Sequence, residues 1–324
     1  RREVAEVPRP RSVRDRLTRV ELFREGRRVR AALGRARRAS AAGAGGGEFP
    51  SPFDRLLTVT SPMLSGRDVT VLQNLLARAG GTAPATDGVY GPATAAAVKA
   101  FQGGVGLPAT GEVDAATANE VLARLSADGY KDDGRPPSAT GHLYKLHVPV
   151  HTNRSIETTA TLYGANGTVL MQFTVRAHGH NYRGDPAVWP NFNQSIGLNS
   201  FSPDGDTPTG LAEFDLNSPE DDPKFYGPYP VNRMVQGLEG NAGFLVPTLR
   251  DGILLHTGEW AQYAGWAPPA PMPNSAGCIH AYPESIKAVW QRLVAEGVVV
   301  HPNTNGKLPY PYKTQGLVSV ELVD

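Results

Sequence analysis

The hydrophobic positions of the chain change their period near residue 140, which predicts a helical region followed by a β-rich region. Between residues 64 and 125 apolar side chains recur at helical spacing in three short segments. Two turn sequences, DGVYGP at 87–92 and TGEVD at 110–114, separate these segments. The similarity of DGVYGPAT to TGEVDAAT indicates an internal repeat. Together these features predict a small three-helix, all-α domain.

The second region consists of short runs rich in Val, Thr and aromatic residues, which is typical of β-strands. The runs cover residues 143–150, 158–163, 169–175, 211–214, 253–256 and 298–301. Asn166-Gly167 lies between the second and third runs and predicts a hairpin. A helical period from Glu284 to Val294, ended by Gly297, predicts a helix. We therefore expect a mostly β domain, largely antiparallel, with one or two helices.

Stretches rich in Gly, Ala and Pro divide this multidomain chain into five parts. The predicted parts are a basic arm and Gly/Ala linker at 1–52, the helical domain at 53–126, a polar linker at 127–141, the β-rich domain at 142–303 and a C-terminal tail at 304–324. We expect the tail to add an edge strand over Leu317–Leu322.

Composition and charge exclude several classes of protein. Hydrophobic residues make up 40% of the chain and charged residues 19%, which excludes a largely disordered protein. No apolar run approaches the ~18 residues that a membrane-spanning helix needs. Residues 1–40 carry 14 arginines against five acids, although the whole chain has a net charge of only +1. The arm lacks interleaved aromatic residues, so we expect no nucleic-acid partner.

The sequence around the single cysteine carries the candidate chemistry. One cysteine excludes an intrachain disulfide. An apolar run ends in His256, and a loop with the sequence SAG presents Cys278 ahead of the predicted helix. An imidazole within reach can take the proton of a thiol, and a helix N-terminus favours the thiolate. The N–H groups of Gly277 and Cys278 would then face an oxyanion.

The other histidines raise an alternative. His178 and His180, together with His256 and His280, are enough imidazoles for a zinc site. No HExxH-type helix or supporting carboxylate spacing accompanies them, so we expect neither a metal nor another cofactor. We expect the segment around His178 to line a substrate cleft instead.

The helical region resembles a known family of wall-binding domains. The sequences DVTVLQNLL, DGVYGPATAAAVKAFQ and TGEVDAAT are similar to the three-helix peptidoglycan-binding domain found on wall hydrolases and transpeptidases. The resemblance covers about residues 60–125. It implies peptidoglycan as a partner and a domain that binds without catalysing.

The β-rich region resembles the L,D-transpeptidase (YkuD-like) catalytic domain over about residues 142–303. ILLHTG followed by SAGCIH is similar to the active-site signature of that family, and DTPTG at 206–210 to its Thr-Pro-Thr-Gly element. The catalytic residues that the resemblance implies are the nucleophile Cys278, the base His256, the loop residues Ser275 and Gly277, and Thr257, whose carbonyl orients the histidine. The substrate contacts that we expect are His280, Gly258, Trp260, His178 and Tyr182.

The resemblance implies acyl transfer on peptidoglycan stem peptides through a Cys278 thioester, which an amine of a second stem resolves into a 3→3 cross-link. It also implies a location outside the cytoplasmic membrane, in the cell wall or periplasm. Two alternatives stay open. Water as the acceptor would make the same site an L,D-carboxypeptidase, and a silent site would leave a wall-binding protein. The sequence departs from the family at Ala276, where His is frequent, and at His280, where Arg or Asn is common.

Overall fold

The computed structural model of the chain describes residues 49–80, 84–179, 200–304 and 308–324. Three helices form the small domain: α1 (Arg67–Arg78), α2 (Pro92–Gly104) and α3 (Ala115–Leu125). Their apolar faces enclose one core, whose fully buried side chains include Val69, Leu72, Leu75, Tyr90, Val98, Val121 and Leu122. The prediction of a helical N-terminal domain is confirmed. The predicted basic arm lies outside the described residues up to position 48.

The internal repeat is a repeated hydrogen-bond pattern around a buried glutamine. In the first unit, Gln73 Nε2 donates to the carbonyl of Val89 at 3.1 Å and to the hydroxyl of Thr94 at 3.1 Å. The Oε1 atom of Gln73 accepts the N–H of Gly88 at 2.9 Å. One side chain therefore joins α1 to the turn and to the start of α2.

Gln102 repeats this pattern in the second unit. Its Nε2 donates to the carbonyl of Glu112 at 2.8 Å and to the hydroxyl of Thr117 at 3.0 Å, and its Oε1 accepts the N–H of Gly111 at 2.9 Å. Gly111 has φ of +76°, a conformation that favours glycine. The glycine and threonine of each repeat are thus explained by the fold itself, without reference to a ligand.

Eight strands of the second domain close into a barrel in the order β1-β2-β3-β7-β6-β5-β4-β8. The strands are β1 (Tyr144–Val150), β2 (Thr158–Gly164), β3 (Val169–Arg176), β4 (Gly210–Asn217), β5 (Val231–Gly237), β6 (Leu254–Thr257), β7 (Ile279–Ala281) and β8 (Gly316–Leu322). Only the β1–β8 and β6–β7 pairs are parallel. The prediction of a mostly β, largely antiparallel domain is confirmed, and the closed barrel is the refinement that the structure adds.

Short helices connect the strands. They are α4 (Pro223–Tyr226), α5 (Ala242–Leu245), α6 (Tyr263–Trp266), α7 (Pro283–Ala295) and two 3₁₀ turns at Pro137–Thr140 and Trp260–Gln262. The predicted helix after Cys278 is α7, which packs Ile286, Val289 and Leu293 into the barrel core. Gly297 follows it with φ of +87°. No helix in the described ranges is long and apolar enough to cross a membrane.

Two strand predictions differ from the structure. Leu317–Leu322 does not lie at an edge, because β8 pairs with both β1 and β4 and closes the barrel. Residues 298–301 do not form a strand but make one isolated bridge, between His301 and Asn217. Strands β5 and β7 were not predicted from the sequence, because polar residues interrupt β5 and because β7 is only three residues long.

The two domains share an apolar core. Phe201 and Leu245 belong to the barrel domain, yet both are fully buried in the hydrophobic cluster of the three helices. A polar contact flanks them, in which Arg78 of α1 donates to Asn241 Oδ1 at 2.8 Å. The small domain is therefore packed against the barrel rather than tethered to it.

The predicted linker at 127–141 is itself fixed to the barrel. Asp128 accepts the hydroxyl of Thr209 at 2.6 Å, and Lys131 donates to the carbonyl of Leu322 at 2.7 Å. Asp132 forms an ion pair with the buried Lys145 at 2.8 Å. These contacts leave little freedom between the domains.

We predict that Gln102→Leu destabilises the protein by about 2–4 kcal/mol, because buried backbone groups of the turn lose their hydrogen-bond partner. Urea unfolding followed by circular dichroism measures the change. The exposed Gln262 is the control, since Gln262→Leu should change the free energy of unfolding by less than about 0.5 kcal/mol. Equal stability of the two variants would contradict a structural role for the repeated glutamine.

Candidate active site

Two parallel neighbouring strands bring the candidate nucleophile and base together. β6 ends in the sequence LLHT, and its His256 lies opposite His280 of β7. Cys278 immediately precedes β7, with its Sγ atom 3.4 Å from the Leu254 nitrogen and 3.4 Å from the Gly252 carbonyl oxygen. Cys278 is 9% exposed and His256 is 4% exposed. The sulfur and the imidazole thus lie in a largely buried site.

The imidazole of His256 is enclosed by its neighbours. A hydrogen bond with the backbone of Thr257 favours the protonated ring. Within the described parts of the chain Nδ1 is buried and has no hydrogen-bond partner. The rings of Tyr226 and His280 pack edge-on against it, with centroid distances of 4.9 Å and 4.7 Å. The two neighbouring rings therefore hold the imidazole in place within the buried site.

Burial keeps both groups neutral near pH 7. Desolvation lowers the pKa of His256 well below its usual value, and the nearby His280 lowers it further. Desolvation also raises the pKa of the Cys278 thiol to about 11, although the Leu254 N–H and the Arg250 charge oppose the shift. The resting pair is a thiol beside an imidazole, not a thiolate beside an imidazolium.

This electrostatic result corrects the expectation that a helix N-terminus activates the thiol. The strand β7 separates Cys278 from α7, which begins only at Pro283. Desolvation destabilises the Cys278 thiolate more than the Leu254 N–H and the nearby arginine charges stabilise it, so the pKa of the thiol is raised.

Ser275 fixes the turn that carries the cysteine. Its hydroxyl donates to the Cys278 carbonyl at 2.7 Å and accepts the Gly277 N–H at 3.0 Å. Its own N–H donates to the carbonyl of His178 at 2.8 Å. The Gly277 N–H is therefore already engaged, which differs from the expectation that it faces an oxyanion.

Gly277 is required by the backbone of this turn. Its φ is +106°, in the region that favours glycine, and a Cβ there would clash with the guanidinium of Arg250. Its carbonyl accepts the hydroxyl of Thr207 at 2.8 Å, which ties the Thr-Pro-Thr-Gly element to the cysteine turn.

Two histidines predicted to contact substrate are buried. His178 is 1% exposed, and its Nδ1 bonds the Gly179 carbonyl oxygen at 2.7 Å. His280 is 4% exposed, and its Nδ1 bonds the carbonyl of Pro273 at 2.9 Å. In this structure His178 lies in the interior rather than on an open cleft, and its carbonyl supports Ser275.

The remaining predicted residues lie around the loop that follows β6. Thr257 is fully buried, and Gly258 packs so tightly that a Cβ would collide with Pro273. Trp260 is half-buried and its ring is parallel to Tyr263, with centroids 6.2 Å apart. Tyr182 and His180 lie outside the residues that the structure describes.

Sequence reasoning missed Arg250. Arg250 follows no motif, since it lies in a polar turn before β6, and only its burial reveals it. The zinc alternative includes His180, which lies outside the described residues, and the described residues contain no group of three or more His, Cys, Asp or Glu able to hold a metal.

Two family models match separate segments of the chain. Residues 65–121 match the family model of a putative peptidoglycan binding domain, and residues 155–301 match that of the YkuD L,D-transpeptidase catalytic domain. The helical domain is thus similar to a peptidoglycan-binding domain and the barrel domain to an L,D-transpeptidase catalytic domain. A search of curated proteins found no match.

Two solved structures are also similar. One is an L,D-transpeptidase (residues 123–326) from Xylanimonas cellulosilytica, 18% identical, covering 79% of this chain and 94% of that chain with a TM-score of 0.24. The other is a fused zinc-dependent amidase/peptidase/peptidoglycan-binding protein from Clostridium acetobutylicum, 14% identical, covering 82% and 99% with a TM-score of 0.23. Because both TM-scores are below 0.5, neither similarity supports a conclusion about this chain.

The neutral resting pair predicts the pH dependence of thiol reactivity. Because burial raises the pKa of Cys278 to about 11, alkylation by iodoacetamide should be slow at pH 7. It should rise about tenfold per pH unit up to pH 10, since only the thiolate reacts. Mass spectrometry of the intact protein measures the rate, with Cys278→Ser as the unreactive control. A plateau near neutral pH would instead indicate a preformed thiolate.

Proposed function

We propose that the protein is a cysteine-dependent L,D-transpeptidase that cross-links peptidoglycan stem peptides through a thioester on Cys278. The observation that supports the proposal most strongly is the position of the buried Cys278 just before β7, the strand that pairs with the His256 strand β6, inside the segment that matches the L,D-transpeptidase family. The neutral imidazole of His256 supplies the proton acceptor that a neutral thiol requires.

The first half-reaction forms the acyl-enzyme. Cys278 Sγ attacks the carbonyl carbon at the L-centre of the stem's diamino acid, and the thiol proton passes to the imidazole of His256. The tetrahedral adduct then collapses with cleavage of the C–N bond. The imidazolium returns its proton to the departing amine, so a terminal D-amino acid leaves and a thioester remains.

The second half-reaction transfers the acyl group. The side-chain amine of a second stem attacks the thioester carbonyl and gives a proton to His256. The C–S bond breaks, and the sulfur recovers that proton as the thiol. The product is a 3→3 cross-link and the enzyme returns to its starting state.

The burial of both groups supports general-base catalysis over a preformed ion pair. Because each group is neutral at pH 7, proton transfer must accompany the attack on the substrate. The Thr257 backbone supports this step, since its hydrogen bond stabilises the ring when it becomes charged.

The small domain supports peptidoglycan as the partner. Because that polymer is the wall itself, we place the activity outside the cytoplasmic membrane. The packing of the helices against the barrel would then hold the catalytic site close to the bound wall.

Intact-mass spectrometry tests the proposal. Wild type and Cys278→Ala are incubated separately with a carbapenem and with a disaccharide tetrapeptide from peptidoglycan. We expect a mass gain on wild type that is absent from the variant, together with a cross-linked dimer. Release of the D-amino acid without a dimer would indicate an L,D-carboxypeptidase, and no adduct with either reagent would indicate a wall-binding protein with a silent site.

Replacing the base should slow acylation without removing the nucleophile. We predict that His256→Gln lowers the rate of thioester formation by about 10²–10⁴, the usual contribution of a positioned base. Alkylation of Cys278 at pH 10 should persist, because solvent can remove the proton there. His142, which bonds Thr140 at 2.9 Å, provides the control, and His142→Gln should acylate like wild type. Unchanged acylation in His256→Gln would show that another group is the base.

A further inference from the structure

We propose that Arg250 is a positioning residue for the Cys278 turn, a role that rests on the proposed function of Cys278 as the nucleophile. Arg250 lies in the turn before β6, and its guanidinium reaches across to the turn before β7. Its side chain connects three segments that are distant in the sequence, and one of these carries the nucleophile.

The guanidinium donates to backbone carbonyl groups on both sides of the site. Nη1 donates to the Asp206 carbonyl at 3.0 Å and to the Ser200 carbonyl. Nη2 donates to the Gly205 carbonyl at 2.9 Å and to the Ala276 carbonyl at 3.5 Å. A planar fork with five N–H donors suits this arrangement, whereas the ammonium of a lysine has three donors at one point.

Arg250 also determines the space beside the nucleophile. A Cβ at Gly277 would clash with Nη2, so guanidinium and glycine occupy one packed volume. Removal of the guanidinium would leave a void directly under residues 276–277 and several buried carbonyl groups without donors. Buried groups of this kind cost about 1–3 kcal/mol each when unpaired.

The charge of Arg250 acts on the thiol as well. The side chain is 2% exposed, and burial lowers its pKa to about 10, so it stays cationic at neutral pH. The nearby charges of Asp206 and Asp204 oppose this lowering of the pKa but only partly compensate for it. Arg250 and Arg233 favour the Cys278 thiolate, while Glu220 opposes it.

The other titratable groups around the sulfur do not supply a positive charge at the cysteine turn, as Arg250 does. Tyr226 has its pKa raised to about 12 and is neutral, as are His256 and His280 at pH 7. Arg233 forms an ion pair with Glu220, so its charge is largely compensated. Arg250 is therefore the cation that both contacts the cysteine turn and acts on the thiol.

The backbone of Arg250 is anchored on the shared core. Its N–H donates to the carbonyl of Leu245 at 2.8 Å, and Leu245 is fully buried against the small domain. Ser200, which accepts a bond from Nη1, directly precedes Phe201 in the same core. The position of the guanidinium is thus set by the docking of the two domains.

Two substitutions test the proposal by separate measurements. Arg250→Met removes the charge, and we expect alkylation of Cys278 by iodoacetamide to slow about tenfold at each pH, equivalent to one unit in the thiol pKa. Arg250→Lys keeps the charge but loses the fork. For this variant we expect alkylation to slow by about threefold, and kcat with the disaccharide tetrapeptide to fall about tenfold to a hundredfold at little change in KM.

The control is Lys145→Met, which removes another buried cation. Lys145 contacts Asp132 and the Arg135 carbonyl and does not touch the cysteine turn. This variant should lose stability but keep the wild-type alkylation profile and kcat. Thermal unfolding of every variant checks that each comparison is made between folded proteins.

The outcomes separate this proposal from the proposed function. If wild type fails to process the tetrapeptide, the proposed function fails, and the alkylation profiles still decide the role of Arg250. If Arg250→Met does not fold, the alkylation rate and kcat of Arg250→Lys decide whether the proposal stands. Wild-type alkylation and wild-type kcat in a folded Arg250→Lys would overturn the proposal, as would an unchanged profile in a folded Arg250→Met.

Discussion

The apolar contact between the two domains is the constraint on which the geometry of the active site depends. Phe201 and Leu245 are fully buried among the side chains of the three helices. Burial of a large apolar side chain stabilises by about 1.5–3 kcal/mol, so neither residue leaves this core at low cost. The same segments carry Ser200 and Arg250, and Arg250 donates both to the Ser200 carbonyl and to the Ala276 carbonyl of the cysteine turn.

Polar contacts extend this constraint to the turn itself. Asp128, just after α3, accepts the hydroxyl of Thr209 at 2.6 Å and the N–H of Asn241 at 2.8 Å. Two residues before Thr209, Thr207 donates to the carbonyl of Gly277 at 2.8 Å. Hydrogen bonds and the short backbone segment 207–209 therefore connect the linker after α3 to the residue beside Cys278. The small domain, the linker and the cysteine turn thus form one packed unit.

Much of this was accessible from the sequence, because local patterns determine it. Three amphipathic segments with glycine turns specified the helices, and the apolar run that ends in His256 specified the strand β6. The role of Gly277 in a tight turn also follows from its residue type. The structure confirms the two features that depend on local sequence patterns, which are the three helices and the mostly β character of the second domain.

The remainder depends on contacts between distant segments, which no local pattern records. Closure of the barrel by β8 places a C-terminal strand between β1 and β4, so a segment expected at an edge lies inside the sheet. In the sequence Arg250 resembles an ordinary surface residue, and it becomes buried only because residues 200–206 pack over it in the fold. The ionisation of Cys278 was misjudged for the same reason, because burial is a tertiary property whereas the helix that follows is a local one.

In the proposed mechanism, burial of Cys278 also has a chemical consequence. A thiol whose pKa is raised to about 11 is almost entirely protonated at neutral pH, and oxidants attack thiolates far faster than thiols. The same burial leaves His256 neutral and able to accept a proton when a substrate carbonyl arrives. A site arranged in this way keeps its single cysteine protected at rest and generates the nucleophile only during the reaction, so slow alkylation and fast acylation are compatible properties of one sulfur.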